Sequence, residues 1–122
     1  MTNSTRPLHW IASSKKDFQA FPEDVQDGFG YALHRVQVGE HPPEAKPWKG
    51  LGSGVFELAD VFDGDAYRTV YAVRFREAIY VLHAFKKKSK HGIATPASDI
   101  ALVKRRLAEA MRDHTKRFGQ ET

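Results

Sequence analysis

The 122-residue chain has no cysteine, so neither a disulfide nor a thiolate-bound zinc supports it. It also lacks any apolar stretch near the roughly 18–20 residues that a membrane-spanning helix needs. The opening residues, MTNSTRPLHW, contain no apolar run suited to a secretory signal. These absences point to one domain over residues 1–122, in a reducing cytoplasm, without membrane contact and long enough to build a core unaided. Carboxylates are scarce in one half only. Residues 1–65 carry 6 Lys/Arg against 10 Asp/Glu, whereas residues 66–117 carry 13 against 4, and Glu121 completes the net charge of +4. One side of the molecule should therefore attract a polyanion or an acidic protein.

The basic half centres on Tyr67–Lys90, YRTVYAVRFREAIYVLHAFKKKSK. Two runs rich in β-branched and aromatic residues flank a polar break at Arg76-Glu77, which reads as a β-hairpin. With those two residues as the turn, Phe75 faces Ala78 and Arg68 faces Phe85. Arg68 then shares a face with His83, Phe85 and Lys87, while Lys86 and Lys88 point the other way. A slip of one residue would reverse these faces.

Elsewhere, Pro7–Ala12 reads as a short strand. Ser14 and Asp17 form a capping-box-like start to a short helix that buries Phe18 and Phe21. Pro22 suits the first turn of a second helix, in which Val25, Phe29, Ala32, Leu33 and Val36 recur at helical spacing up to a stop at Gly39. Residues 40–54 read as loop, because proline and glycine exclude regular structure there. The Gly50-x-Gly52-x-Gly54 pattern lies outside the strand-to-helix setting that a dinucleotide fingerprint requires. Val55–Phe62 alternates as a half-buried strand, and Asp63-Gly64-Asp65 turns into the Tyr67 strand. Asp60, Asp63 and Asp65 lack the later bidentate Glu of a calcium loop, so no metal site is expected. Thr95-Pro96 opens a final helix whose apolar stripe is Ile100, Val103, Leu107, Ala110 or Met111, and His114, with Phe118 beyond. Lys104, Arg105, Arg106 and Arg112 fall on its other faces.

This order of elements resembles the RelE/ParE toxin superfamily, and within it the HigB-like, phage-derived branch. The resemblance spans about Phe18–Leu107. It is carried by the Lys46-Pro-x-x-Gly50 loop leading to Gly54-Val55-Phe56-Glu57-Leu58, by Tyr67-Arg68-x-x-Tyr71, by Leu82-His83-Ala84-Phe85-x-Lys87-Lys88, and by Thr95-Pro96 before a basic helix. It implies an α+β, RelE-like small domain: N-terminal strand, helical hairpin, three-stranded antiparallel meander and C-terminal helix. It also implies a toxin that cleaves mRNA on the translating ribosome, without metal or cofactor, and that a cognate antitoxin neutralises. The implied catalytic positions are Arg68 and Lys87.

The residues agree in kind with that chemistry. Attack by a 2′-hydroxyl needs a proton acceptor, cations for the phosphorane and an acid for the leaving 5′-oxygen. Arg68 suits bidentate grip on the phosphate. Lys87 is the second cation, His83 on the same face is the third catalytic position as a base titrating near neutrality, and Lys46, Lys49, Lys86, Lys88 and Lys90 would bind RNA. Structural readings stand beside these: a strand His is commonly a packed residue, Arg68 can pair with Glu57 or Asp60, and the lysine run can blunt an edge strand. Trp10 and Trp48 read as packing residues, with Trp48 also placed to stack on a base. Several relatives carry a catalytic Tyr or His near the C-terminus, but here His114 belongs to the helix stripe. Two other functions fit the same fold: a ParE-like inhibitor of a protein such as gyrase, and an inert phage-derived nucleic-acid-binding domain.

Overall fold

The structure, a computed structural model, describes residues 5–87 and 95–119. The chain order is β1 (Leu8–Trp10), α1 (Ser14–Gln19), α2 (Glu23–Gln37), β2 (Lys46–Pro47), β3 (Val55–Phe62), β4 (Asp65–Ala72), β5 (Ile79–Lys87) and α3 (Ala97–Phe118). One sheet holds all five strands in the order β1-β5-β4-β3-β2. β1 runs parallel to β5, and the other pairings are antiparallel. This is the expected α+β architecture with one addition. Lys46 and Pro47, read as loop, pair with Glu57 and Phe56 as a two-residue edge strand, a position that tolerates proline because one side of the strand needs no donor. Among the described residues, no helix is long and apolar enough to cross a membrane.

Each face of the sheet carries its own core. On one face α1, α2 and the link between them deliver Phe18, Phe21, Val25, Phe29, Leu33 and Val36 onto Leu58, Tyr71, Ile79 and Val81. The apolar positions of α2 predicted from its spacing are all buried. On the other face α3 lays Val103, Leu107 and Ala110 over Val70, Tyr80, Leu82 and Phe85. Flanked by both layers, β5 is buried from Ile79 to Phe85, which explains its near-continuous apolar sequence.

The β3–β4 hairpin closes at Asp63 and Gly64, both with positive φ (52° and 83°), as a two-residue hairpin turn that matches strand twist requires. The β4–β5 connection is longer than expected. Arg76-Glu77 is not a two-residue turn: the strands stop at Ala72 and start again at Ile79. Other partners claim the intervening backbone. The Val73 amide donates to the Gly54 carbonyl at 2.8 Å, and the Arg6 guanidinium donates to the carbonyls of Val73 and Phe75 at 3.1 and 2.8 Å.

The predicted register nonetheless holds where it matters, with Arg68 opposite Phe85. A bulge reconciles the two facts. Val70 faces His83 but Tyr71 faces Val81, so Leu82 is one residue too many and both Leu82 and His83 turn toward α3.

Helix starts also differ by small steps. Ser13, not Ser14, precedes α1 and donates to Asp17 Oδ2 at 2.8 Å. Ser14 is fully buried and donates to the Val81 carbonyl at 3.1 Å. Pro96 rather than Thr95 precedes α3.

Candidate functional site

Directly opposed residues of neighbouring strands share a face. The β3–β4–β5 register therefore sets Glu57, Arg68, Val70, His83, Phe85 and Lys87 on the α3 side of the sheet. Lys46, opposite Glu57, joins them. Arg68 and Lys87 are diagonal neighbours, because Lys87 faces Ala66, and such positions lie roughly 7–8 Å apart. Both side chains are long enough to meet on one phosphate from that separation. Arg68 is half-buried and paired with Glu57, Nε to Oε1 3.6 Å. Asp60, the other partner considered, faces the opposite side beside Tyr67.

His83 is buried and held on two sides. Its ring stacks on Phe85, with centroids 4.5 Å apart and planes 17° from parallel, and its Nε2 lies 2.8 Å from Asp99 Oδ1 in the first turn of α3. Opposite a carboxylate oxygen, Nε2 must carry the hydrogen, which leaves Nδ1 as the acceptor. That Nδ1 is buried and has no hydrogen-bond partner. Burial pushes the imidazole below its usual pKa, against the opposing pull of Asp99.

A groove of about 470 Å³ opens beside Arg68. Lys46, Pro47, Trp48 and Lys49 form one wall, Glu57 lies between, and Thr95 and Ile100 at the start of α3 form the other. Trp48 is 6% exposed, with its Nε1 buried and unpartnered. Ile100, predicted to lie in the buried stripe, is 47% exposed because it borders this groove. Lys46 and Lys49 are exposed at the rim.

The remaining predicted positions lie elsewhere. Lys86 points away from Arg68 as expected and pairs with Asp65 at 3.0 Å. Lys88 and Lys90 lie outside the described residues. His114 is buried on α3 as expected, 2.5 Å from Glu77. The glycine-rich loop serves Arg74, whose guanidinium donates to the carbonyls of Leu51 and Ser53. No cluster of metal-ligating side chains occurs among the described residues.

Sequence reasoning missed Asp99, which only tertiary packing brings to His83, and Arg106. Expected on an outer face of α3, Arg106 is 8% exposed and donates to the Leu82 carbonyl and to Ser13 Oγ, both at 3.1 Å. Its spacing, three residues after Val103 and four before Ala110, was the signal for this buried place, but an arginine breaks the apolar pattern that marks a core face.

A sheet flanked by a helical hairpin and a long helix, with cations gathered on its α3 face, defines a small α+β domain with a RelE-like fold. The structure is similar to that of E. coli toxin RelE, an arginine double mutant in the free state. The TM-score is 0.55 at 12% sequence identity, covering 86% of this chain and 97% of that one. The profile of the phage-derived Gp49-like proteins (DUF891) matches residues 16–108, and the chain belongs to that family. No curated protein matches the sequence.

Proposed function

We propose that this chain is the toxin of a toxin–antitoxin pair, and that it cleaves mRNA on the translating ribosome by metal-independent transesterification. The observation that carries the reading is the diagonal pair Arg68 and Lys87 on one face of the β4–β5 hairpin, beside a lysine-rimmed groove. Family membership and the RelE-like fold support it.

In this mechanism the RNA 2′-oxygen forms a bond to the adjacent phosphorus while the bond from phosphorus to the 5′-oxygen breaks. The products are a 2′,3′-cyclic phosphate and a 5′-hydroxyl, the leaving 5′-oxygen taking its proton from the Lys87 ammonium, which regains one from water. Arg68 and Lys87 hold the phosphate oxygens as charge builds on them, a stabilisation that oriented cations supply without a metal. His83, whose pKa burial lowers, is the proton acceptor of the proposal, which requires RNA binding to uncover the Nδ1 that is buried in the free chain. Lys46, Lys49 and Lys86, with Lys88 and Lys90 beyond the described strand, attract the RNA backbone. A cognate antitoxin with acidic side chains would quench the toxin by covering this face.

The test is induced expression in growing cells with mRNA 5′ ends mapped, comparing wild type with Arg68→Ala and Lys87→Ala. Growth arrest with new cuts inside reading frames, both lost in folded mutants, is the expected result. Arrest that persists in both mutants without cuts would instead identify an inhibitor of a protein target. A folded wild type that leaves growth unaffected would identify an inert binding domain.

A further inference from the structure

The groove beside Arg68 contains a residue that phosphate binding does not explain. Glu57 is the one carboxylate among the described residues that line it, between a lysine-rimmed wall and Ile100. Arg68 offsets part of the charge of Glu57, but an ionised carboxylate only accepts hydrogen bonds, so this part of the groove favours an occupant that presents donors. The walls are apolar on both sides: Pro47 and Trp48 from the β2 segment, Ile100 from α3. Such walls suit a flat aromatic ring, and unstacked bases of single-stranded RNA bind proteins in this way. The volume of about 470 Å³ falls within the roughly 300–1,000 Å³ typical of ligand clefts.

We propose that this groove is a base subsite for a guanine of single-stranded RNA, and that Glu57 reads its Watson–Crick edge. The proposal rests on the RNA-directed reading above. An ionised carboxylate only accepts hydrogen bonds. Guanine offers two adjacent donors, N1–H and the N2 amino group, which match the two carboxylate oxygens. Uracil flanks its one N–H with two carbonyls, and adenine and cytosine set a ring acceptor beside their amino group. Those three bases therefore face repulsion that guanine escapes. Glu57 is well fixed for this task. Its backbone pairs with β2 at Lys46 and with β4 at Val70, and Oε1 lies 3.6 Å from Arg68 Nε, an ion pair without a hydrogen bond. The same contact couples recognition to cleavage, because the residue reading the base touches the residue assigned to the phosphate.

The test is a solution NMR titration of the full chain with UUGUU and UUUUU, every 2′-hydroxyl methylated so that the strands stay intact, and with GMP. The expected result is chemical-shift change at the Trp48 indole and the Glu57 and Ile100 amides, with UUGUU binding about tenfold more tightly than UUUUU. Glu57→Gln should bring that ratio close to one, whereas Ile100→Ala, at an exposed helix position, should weaken both oligonucleotides together. Equal affinities in the wild type, a ratio that survives Glu57→Gln, or shifts confined to other regions would overturn the subsite. GMP binding more tightly than UUGUU would overturn the assignment to RNA in favour of a free nucleotide. Guanine-selective binding without cleavage in cells keeps the subsite and removes the nuclease. Cleavage without guanine selectivity does the reverse.

Discussion

The Arg106 guanidinium of α3 reaches across the sheet face and donates to the carbonyl of Leu82 at 3.1 Å. Leu82 is the residue that the β5 bulge inserts, and a bulge leaves its extra residue outside the ladder. Arg106 thus satisfies an acceptor that the strand pairing abandons, and its second nitrogen donates to Ser13 Oγ at 3.1 Å. Ser13 in turn donates to Asp17, so one buried side chain ties α3 and the start of α1 to the strand that carries His83, Phe85 and Lys87.

Arg106→Met keeps most of the aliphatic volume but removes both hydrogen bonds. Bonds from a charged donor contribute about 1.5–3 kcal/mol each, and an orphaned buried carbonyl adds its own desolvation cost. The expected loss is about 2–3 kcal/mol, seen as a lower urea midpoint with unchanged m-value. A change below about 0.5 kcal/mol would mean that Leu82 finds a substitute donor and that the bulge does not depend on α3.

Tyr71 shows the opposite situation. It is fully buried, and its hydroxyl has no hydrogen-bond partner. Burial, with help from Glu44, pushes its pKa up. Tyr71→Phe deletes the unsatisfied group and keeps the ring against Phe56, so thermal unfolding should show equal or greater stability, by up to about 1 kcal/mol. A clear loss would reveal a partner for the hydroxyl, such as an ordered water.

The pH dependence of stability should carry the signature of His83. Burial lowers its folded pKa, so below the unfolded value near 6.5 the unfolded chain binds a proton that the folded one resists. Stability is then full above that pH and declines as pH falls through the folded pKa. Urea unfolding from pH 7.5 to 5 should show this slope, and His83→Gln should flatten it. Asp113 acts in a lower window. Burial alone would raise its pKa, but the Tyr80 hydroxyl and Arg117 outweigh burial and lower it, so its contribution is present above the unfolded carboxylate value and lost as acid protonates it.

How far these features were legible in the sequence depends on their range. Val25, Phe29, Leu33 and Val36 announce α2 because one helix face repeats within the chain. The Asp63-Gly64 turn announces its hairpin because both residues tolerate positive φ. Arg68 opposite Phe85 was readable even though the turn assumed for it was wrong: the bulge at Leu82 offsets the longer Val73–Ala78 connection. Arg6, far away in sequence, donates to the carbonyls of Val73 and Phe75 in that connection, a contact that no local pattern announces. The basic strand ends and the groove lysines were visible as composition. Asp99 beside His83 and Ile100 across from Trp48 were not, because α3 meets the sheet only through tertiary packing.

Two glycines should respond to alanine with opposite signs. Gly54 has φ of 84°, and a Cβ there would lie 2.9 Å from Arg74 Cβ, so Gly54→Ala combines a strained backbone with a clash and should cost about 1–3 kcal/mol. Gly30 lies within α2 with no atom within 4 Å of its added Cβ. Gly30→Ala should stabilise by about 0.5–1 kcal/mol through helix propensity. Parallel thermal melts check both. Equal behaviour of the two variants would show that the Gly54 loop shifts freely, along with the Trp48–Lys49 wall that precedes it.

The groove lysines should reveal themselves through salt. Lys46 and Lys49 are exposed and have no ion-pair partner among the described residues, so replacing both with alanine should leave the melting temperature within about 2 °C of wild type, as for surface substitutions worth under 0.5 kcal/mol. Binding of single-stranded RNA should nonetheless weaken. Each phosphate neutralised contributes about −0.7 to the slope of log affinity against log salt, so the double variant should show a slope shallower by about 1.4. The experiment is fluorescence anisotropy with a short uridine-rich RNA across a salt series. An unchanged slope would mean that the RNA backbone does not pass over this wall. The cations that hold it would then be Arg68 on β4 and Lys87 on β5, and the groove would open onto the base alone.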